Sequence, residues 1–275
     1  MRVPLLAGNW KMHKTVGEAV ELVTALKPLT ADVPGAEVAV CPTFTALAAV
    51  AEACRGSHIL WGAQDVYWEA KGAYTGEVSP VMLKDLGCTY VIVGHSERRG
   101  RFGVPDENMT PNLMKVFGDN DETVARKAQG VFAHDMIPII CVGETLPERE
   151  RGDTDAVVAS QVEAALGALA GELAARLVIA YEPVWAIGTG KHCDPTEANR
   201  VIGLIRRTAR ARVGDAADSL RVQYGGSVKA DNIAGFMAEP EIDGGLVGGA
   251  SLEAEGFAAL IRVAAETAGR RESQA

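Results

Sequence analysis

The chain has 275 residues, of which 48% are hydrophobic, and its formal net charge is −9. This length suits one α/β barrel with a large core, while the acidic balance disfavours nucleic-acid binding and requires any anion site to carry local positive charge. Five scattered cysteines without a CxxC pair predict reduced thiols and a cytoplasmic location, and the chain has no apolar run of membrane-spanning or signal-peptide type.

Eight β-like apolar runs alternate with helical segments along the chain. The predicted strands are Leu5–Asn9, Glu37–Cys41, His58–Ala63, Tyr90–Gly94, Ile137–Val142, Leu177–Glu182, Leu220–Tyr224 and Gly244–Val247. The helical segments include Val16–Leu29, Ala46–Cys54, Ala156–Leu173, Glu197–Val213 and Glu253–Thr267. This alternation indicates an α/β fold, a closed (β/α)8 barrel forming a single domain over residues 1–275. The polar end Gly269–Ala275 is expected to fray.

Chemically capable residues follow several of these strands directly. Asn9 and Lys11 follow the first strand, His95 the fourth and Glu182 the sixth, and glycine-rich turns follow the seventh and eighth. In a parallel barrel these positions share one face, where the βα loops build the site. The pattern therefore predicts one site at the carboxyl ends of the strands.

Glu182 opens a stretch that is stiff at its start and rich in glycine at its end. Pro183 favours extended geometry at Glu182, the apolar segment Val184–Ile187 follows, and Gly188-Thr189-Gly190 closes the stretch. This chemistry is typical of a lid over 186–190 hinged beside an acid. The alternative is an ordinary loop next to a surface carboxylate.

His95 and Lys11 are candidates for contact with a substrate oxygen. Ser96 and Glu97 resemble a helix start, whose positive dipole end would favour a neutral imidazole at His95. Lys11 would supply local positive charge. Taken singly, a structural histidine and a solvated lysine are the alternatives.

Gly225-Gly226-Ser227 and Gly248-Gly249 follow the last two strands. Exposed backbone N–H groups in such turns can hold a phosphate, and barrels often bind phosphate at the loops after these strands. Ordinary tight turns are the alternative.

Five motifs together resemble the triosephosphate isomerase family over nearly the whole chain and in the right order. They are Gly8-Asn-Trp-Lys11, Gly94-His-Ser-Glu-Arg-Arg99, Ala180-Tyr-Glu-Pro-Val-Trp-Ala-Ile-Gly-Thr-Gly-Lys191, Tyr224-Gly-Gly-Ser-Val228 and Leu246-Val-Gly-Gly-Ala-Ser-Leu252. The resemblance implies a TIM barrel that interconverts dihydroxyacetone phosphate and D-glyceraldehyde 3-phosphate in glycolysis and gluconeogenesis. It implies no metal or organic cofactor.

The resemblance also implies a role for each matching residue. Glu182 would be the base and His95 a neutral electrophile, with Lys11 and Asn9 stabilising the enediolate. Substrate phosphate would be held near Gly188, Ser227, Gly248 and Gly249. These roles and the closing lid are the known pattern of the family.

The chain departs from the family pattern after His95. The pair Phe102-Gly103 recurs as Phe117-Gly118, which suggests an insertion of about 15 residues around 103–117. Thr110-Pro111 and Gly118 predict a short extra helix near 111–117. A neutral surface excursion is favoured, and an extended interface or active-site wall is the sharper alternative.

The loop 64–78 is long and carries Tyr67, Trp68 and Tyr74, and aromatic residues are enriched at interfaces. The family resemblance implies a homodimer formed through this loop. Asp65 stands where the family usually has asparagine.

Two other functions remain open for the same residues. One is an isomerase of a larger phosphorylated ketose, such as a tetrulose phosphate. The other is a phosphate-binding barrel with lyase or synthase activity, which a shared fold alone would permit. A non-catalytic scaffold is disfavoured because none of the expected site residues is missing.

Overall fold

Eight parallel strands close into a barrel in the computed structural model, which describes residues 2–104, 107–167, 169, 173 and 176–274. The strands are β1 Leu5–Asn9, β2 Glu37–Cys41, β3 Leu60–Ala63, β4 Tyr90–Val93, β5 Ile137–Val142, β6 Val178–Tyr181, β7 Arg221–Tyr224 and β8 Gly244–Val247. Each strand pairs with the next, and β1 pairs with β8 to close the ring. The predicted α/β barrel fold is therefore confirmed.

Helices cover the outside of the barrel. They are α1 Val16–Thr30, α2 Phe44–Cys54, α3 Pro80–Asp85, α4 Asp121–Phe132, α5 Leu146–Glu150, α6 Thr154–Gly167, α7 Pro195–Val213, α8 Ile233–Ala238 and α9 Ala254–Gln274. The part of the predicted segment Ala156–Leu173 beyond 167 lies largely outside the described residues. No helix among the described residues is long and apolar enough to cross a bilayer.

Strand side chains alternate between two apolar layers, as the two-residue repeat of a strand requires. Leu5 and Ala7 point into the barrel, whereas Leu6 packs under the helices. At the amino-terminal end, Arg221 donates to Glu37 (2.9 Å) and to the hydroxyl of Tyr90 (2.6 Å). Side chains therefore fill the barrel interior and close its amino-terminal end, and open space remains at the carboxyl ends of the strands.

The polar end Gly269–Ala275 was predicted to fray, and its last residue, Ala275, lies outside the described residues. Helix α9 continues to Gln274. The guanidinium of Arg271 donates to the backbone carbonyls of Met237, Glu239 and Ile242, which follow or end the preceding helix. Arg271 therefore ties helix α9 to the end of α8 and the segment that follows it.

The segment 103–117 contains the predicted extra helix as a short 3-10 helix, Leu113–Val116. Asn112 precedes it rather than the predicted Thr110, although the Thr110 hydroxyl accepts the Leu113 N–H at 3.3 Å. The rings of Phe102 and Phe117 meet edge to face with centroids 5.2 Å apart. The two phenylalanines of the repeated Phe-Gly pair therefore bring the two ends of the segment 103–117 together.

Candidate active site

All eight site residues predicted from the sequence line one cavity of about 860 Å³ at the carboxyl ends of the strands. They are Asn9, Lys11, His95, Glu182, Gly188, Ser227, Gly248 and Gly249. Arg101, Phe102, Gly103 and Val104 complete one wall. Five separate βα loops therefore converge on a single space.

Glu182 lies at the bottom of this cavity and is only 2% exposed. Its backbone N–H donates to the Val142 carbonyl at 2.7 Å, which extends the pairing of β5 with β6. A Cβ at Gly143 would overlap the Glu182 carbonyl, so only glycine permits this approach. The Glu182 backbone is therefore fixed by the neighbouring strand.

The Glu182 carboxylate is held by the turn that follows β4. The Ser96 N–H donates to Oε2 at 2.9 Å, and His95 Nε2 lies 2.8 Å from Oε1. Burial alone would raise the pKa of this carboxyl. The adjacent His95 ring and the Ser96 N–H outweigh burial, and the pKa lies below its ordinary value. The group is thus held ionised, as a base must be.

His95 follows Gly94, whose φ of 67° turns the chain out of β4. The Glu97 N–H donates to His95 Nδ1 at 3.2 Å. Nδ1 must then offer its lone pair, so a neutral ring carries its proton on Nε2, the nitrogen that faces the cavity floor. The imidazole is therefore arranged to donate a hydrogen bond.

The predicted helix start at Ser96 and Glu97 is wrong, because residues 96–100 form successive hydrogen-bonded turns. Arg98 and Arg99 donate their N–H groups to the His95 carbonyl, and Arg101 donates to the Ser96 carbonyl. The geometry that supports a neutral ring is thus the Glu97 N–H and not a helix dipole.

Lys11 is held in a left-handed conformation with a φ of 51°. Its N–H donates to Asn9 Oδ1 at 3.1 Å, and Gln64 Nε2 donates to its carbonyl at 2.9 Å. Its ammonium donates to Glu97 Oε1 at 2.7 Å. Asn9 and Gln64 therefore hold a strained backbone that directs a cation to the site.

The stretch after Glu182 begins with a 3-10 turn, Val184–Ala186. Trp185 Nε1 donates to Glu144 Oε1 at 2.8 Å, and the Arg149 guanidinium stacks over the indole at 4.6 Å. Burial raises the pKa of Glu144, and the donors around it partly offset this. Trp185 is thus the anchored end of the predicted lid.

The two glycine-rich turns line the same cavity as this stretch. Ser227 Oγ donates to the Ala186 carbonyl at 3.0 Å, so the turn after β7 contacts the lid segment directly. A Cβ at Gly248 would lie 3.6 Å from Lys11 Cε, which places this bare backbone beside the lysine. Backbone and cation together suit a small anion.

Three groups that hold the site residues in place could not be predicted from a local sequence pattern. Gln64 fixes Lys11, Gly143 admits the Glu182 backbone, and the Ser96 N–H holds the carboxylate. Each acts on a residue far away in sequence, so only the closed barrel reveals it. Over the described residues, no cluster of three acidic, histidine or cysteine side chains is placed to hold a metal ion.

The arrangement combines a buried carboxylate of lowered pKa, an imidazole nitrogen that faces it and an ammonium in one enclosed space. A base beside donors aimed at one oxygen is suited to proton abstraction α to a carbonyl. The bare backbone beside Lys11 adds a place for an anionic group remote from the reacting carbons.

Comparison with known proteins agrees with this chemistry. A family profile described as triosephosphate isomerase matches residues 4–264. Over 261 residues the chain is 54% identical to a triosephosphate isomerase of Moorella thermoacetica, covering 95% of this chain and 98% of that protein. It is 53% identical over 262 residues to one from Caldanaerobacter subterraneus, covering 95% and 99%. A Symbiobacterium thermophilum relative of the same name is 48% identical over 271 residues, covering 98% and 100%.

Proposed function

The chain belongs to the triosephosphate isomerase family, and we propose that it performs this isomerisation with Glu182 as base, His95 as proton donor and Lys11 with Asn9 as stabilising groups. The chain is an isomerase that interconverts dihydroxyacetone phosphate and D-glyceraldehyde 3-phosphate. The observation that carries the assignment of residues is the contact of Glu182 with His95 Nε2 beside Lys11 in one cavity.

Glu182 removes a proton from the carbon next to the substrate carbonyl and returns it to the neighbouring carbon. Its carboxylate is held by Ser96 and His95, so it first exchanges these contacts for the substrate. The Nε2–H of His95 then donates to the oxygen that becomes negative, and the Lys11 ammonium and Asn9 amide stabilise the enediolate. Removing one such donor typically costs about 10²–10³ in kcat.

The phosphate of the substrate lies at Gly188, Ser227, Gly248 and Gly249 in this proposal. The lid 186–190 closes over it, which excludes water and restrains the enediolate. Support comes from the Ser227 contact with Ala186 and from the position of Lys11 beside Gly248.

A coupled assay on dihydroxyacetone phosphate tests the assignment of the base. Glu182→Asp retains the charge but withdraws the carboxylate by one methylene. We expect kcat to fall by about 10²-fold, because a displacement of this size disrupts the reacting geometry. Glu122→Gln, on the exposed face of α4, is the matched control and should retain the wild-type rate. An unchanged rate for Glu182→Asp would remove the base from the proposal, and the same assay on a four-carbon ketose phosphate measures substrate preference.

The protein also forms a homodimer through the loop 64–78 in this proposal. The Tyr67 ring stacks on Trp68 with centroids 4.0 Å apart and meets Tyr74 in a tilted pair with centroids 4.3 Å apart. Beside the loop, a second cavity of about 350 Å³ is lined by Met12, Phe44, Gly76 and Glu77 and reaches Lys11 and His95. The partner's loop would fill this cavity.

Two further expectations belong to the same proposal. The segment 103–117 is an insertion into a single barrel over residues 1–275, supported by the contact of Phe102 with Phe117 at its base. The protein works in the cytoplasm, where thiols stay reduced, which agrees with five buried free cysteines.

A further inference from the structure

Gly103 lies directly against the lid turn, the 3-10 turn Val184–Ala186 that leads into the lid 186–190. A Cβ at this position would be 2.5 Å from the Val184 carbonyl oxygen and closer still to that of Ile187. Gly103 does not have a positive φ, so the need for glycine here is one of space. The backbone after His95 and the backbone after Glu182 are therefore in contact with no side chain between them.

The lid turn is held on two other sides. Trp185 Nε1 donates to Glu144, and the Ala186 carbonyl accepts from Ser227 Oγ. Gly103 meets the first carbonyl of the turn, at Val184, and the carbonyl of Ile187 just beyond it. Displacing the lid turn from Gly103 would consequently strain the contacts with Glu144 and Ser227.

The segment that carries Gly103 is itself fixed to the catalytic turn. The Arg101 N–H donates to the Ser96 carbonyl at 2.9 Å, and its guanidinium pairs with Glu148 on α5. The Phe102 ring packs on Phe117. A displacement at Gly103 is therefore transmitted to Ser96 and to the adjacent His95.

We propose that Gly103 is a positioning residue for the lid: its missing side chain lets the lid turn seat on the segment that bears His95, which sets how closely the lid covers the reacting enediolate. The inference rests on the proposed function. It concerns one additional residue, which contacts the lid backbone and not the substrate.

The fate of the enediolate reports on this seating. On the productive path, the intermediate takes up a proton and keeps its phosphate. In the competing path, the enediolate oxygen re-forms a carbonyl, the carbon–carbon π pair shifts toward C3, and the C3–oxygen bond breaks to release phosphate. The remaining three-carbon enol takes up a proton at C3, releases the proton of its C2 hydroxyl and becomes 2-oxopropanal. A well-seated lid suppresses this elimination.

Gly103→Ala tests the proposal, with Gly118→Ala as its matched control. Gly118 is the glycine of the second Phe-Gly pair, and a Cβ there would meet nothing within 4 Å. For Gly103→Ala we expect kcat to fall by about 10- to 100-fold, since displacements near 1 Å have effects of this order. The fraction of turnovers ending in phosphate release should rise severalfold. Gly118→Ala should match the wild type in both measurements.

A purely structural role would lower the melting temperature without changing how the remaining turnovers divide between isomerisation and phosphate release. That result, or wild-type values of both, would overturn the proposal. If Gly103→Ala does not fold, Arg101→Gln provides the test. This change releases the segment that carries Gly103 from Glu148 and should also increase the fraction of turnovers that end in phosphate release. An unchanged partition in Arg101→Gln would then refute the proposal. Failure of wild type and Gly118→Ala to isomerise dihydroxyacetone phosphate would instead refute the proposed function.

Discussion

Glu182 combines complete burial with groups that favour its charged form. Its pKa is lowered because His95 and the Ser96 N–H outweigh the effect of burial. A carboxyl with a lower pKa in the folded state contributes stability above its unfolded pKa of about 4.3. This contribution is lost as the pH falls through the folded-state pKa.

Glu182→Gln should therefore change the acid profile of stability. The free energy of unfolding of the wild type relative to this variant should be constant near neutral pH and decrease below about pH 4.3. Urea unfolding at several pH values measures the difference. A difference that is independent of pH, or grows in acid, would contradict the lowered pKa.

Lys127 is a buried lysine between two carboxylates. Its ammonium donates to Asp65 and to Asp119, each at 2.7 Å, and Arg98 Nε lies 2.9 Å from the other Asp65 oxygen. Asp65 lies at the start of the loop 64–78. Its charge thus joins this loop to α4 and to the turn that bears His95.

Asp65→Asn should destabilise the fold, because Lys127 keeps only one carboxylate partner while it remains buried. We expect a loss of about 1–3 kcal/mol in the free energy of unfolding, measured by urea titration. Glu122→Gln is the control, since its pair with Arg126 is exposed and should be worth less than about 1 kcal/mol. Equal effects of both changes would show that Asp65 does not stabilise the buried lysine.

The chemically active residues were predictable because each belongs to a contiguous motif after a strand. The groups that hold these residues in place were not predictable. Ser96 contacts Glu182, and Gly103 contacts Val184, although more than 80 residues separate the members of each pair in the sequence. A bare glycine or a backbone N–H carries no local pattern that predicts which distant group it will contact. Only the register of the closed barrel brings these pairs together.

At the scale of elements, strands were more predictable than short helices. The apolar runs of β1, β2, β5 and β8 match their predicted bounds. Helices α3, α5 and α8 have only five or six residues, too few to show a helical repeat. Their helical geometry depends instead on caps and on packing against the barrel.

The segment 103–117 divides into a part at the cavity and a part at the surface. Gly103 and Val104 line the main cavity, whereas Leu113 and Val116 are exposed. The two parts should respond differently to deletion. If the whole segment were a functionally neutral surface loop, none of its residues would line the main cavity.

Deleting 103–117 should lower kcat/KM, because it removes Val104 and the rest of this wall of the cavity, although it joins Phe102 to Gly118 and so keeps a Phe-Gly pair. Replacing 107–116 with a short glycine linker keeps that wall and should leave kcat/KM within about threefold of the wild type, as surface loops tolerate such changes. The isomerase assay and analytical ultracentrifugation compare both variants. Wild-type kcat/KM after the larger deletion would restore the neutral interpretation.

At the scale of the whole molecule, several large apolar side chains are exposed in or near the loop 64–78 and the second cavity. Met12 is 92% exposed, and Phe44, Tyr74, Val81 and Met82 are also exposed. Met12 and Phe44 line the second cavity, Tyr74 lies in the loop 64–78, and Val81 and Met82 belong to α3, which follows this loop. Exposed apolar side chains that form a patch are typical of interaction sites, and the cavity that Met12 and Phe44 line also reaches His95 and Lys11.

Thr75→Arg places a charge at the exposed tip of this loop and should prevent association of two copies. We expect the variant to sediment as a monomer and kcat to fall, because Lys11 and His95 then border an unfilled cavity open to water. Thr24→Arg, on the exposed face of α1, adds the same charge elsewhere and should remain a fully active dimer. Sedimentation velocity and the isomerase assay on both proteins separate charge from position. A Thr75→Arg monomer with the wild-type kcat would show that each barrel completes its own site, whereas loss of both properties together would make the partner's loop part of the working enzyme.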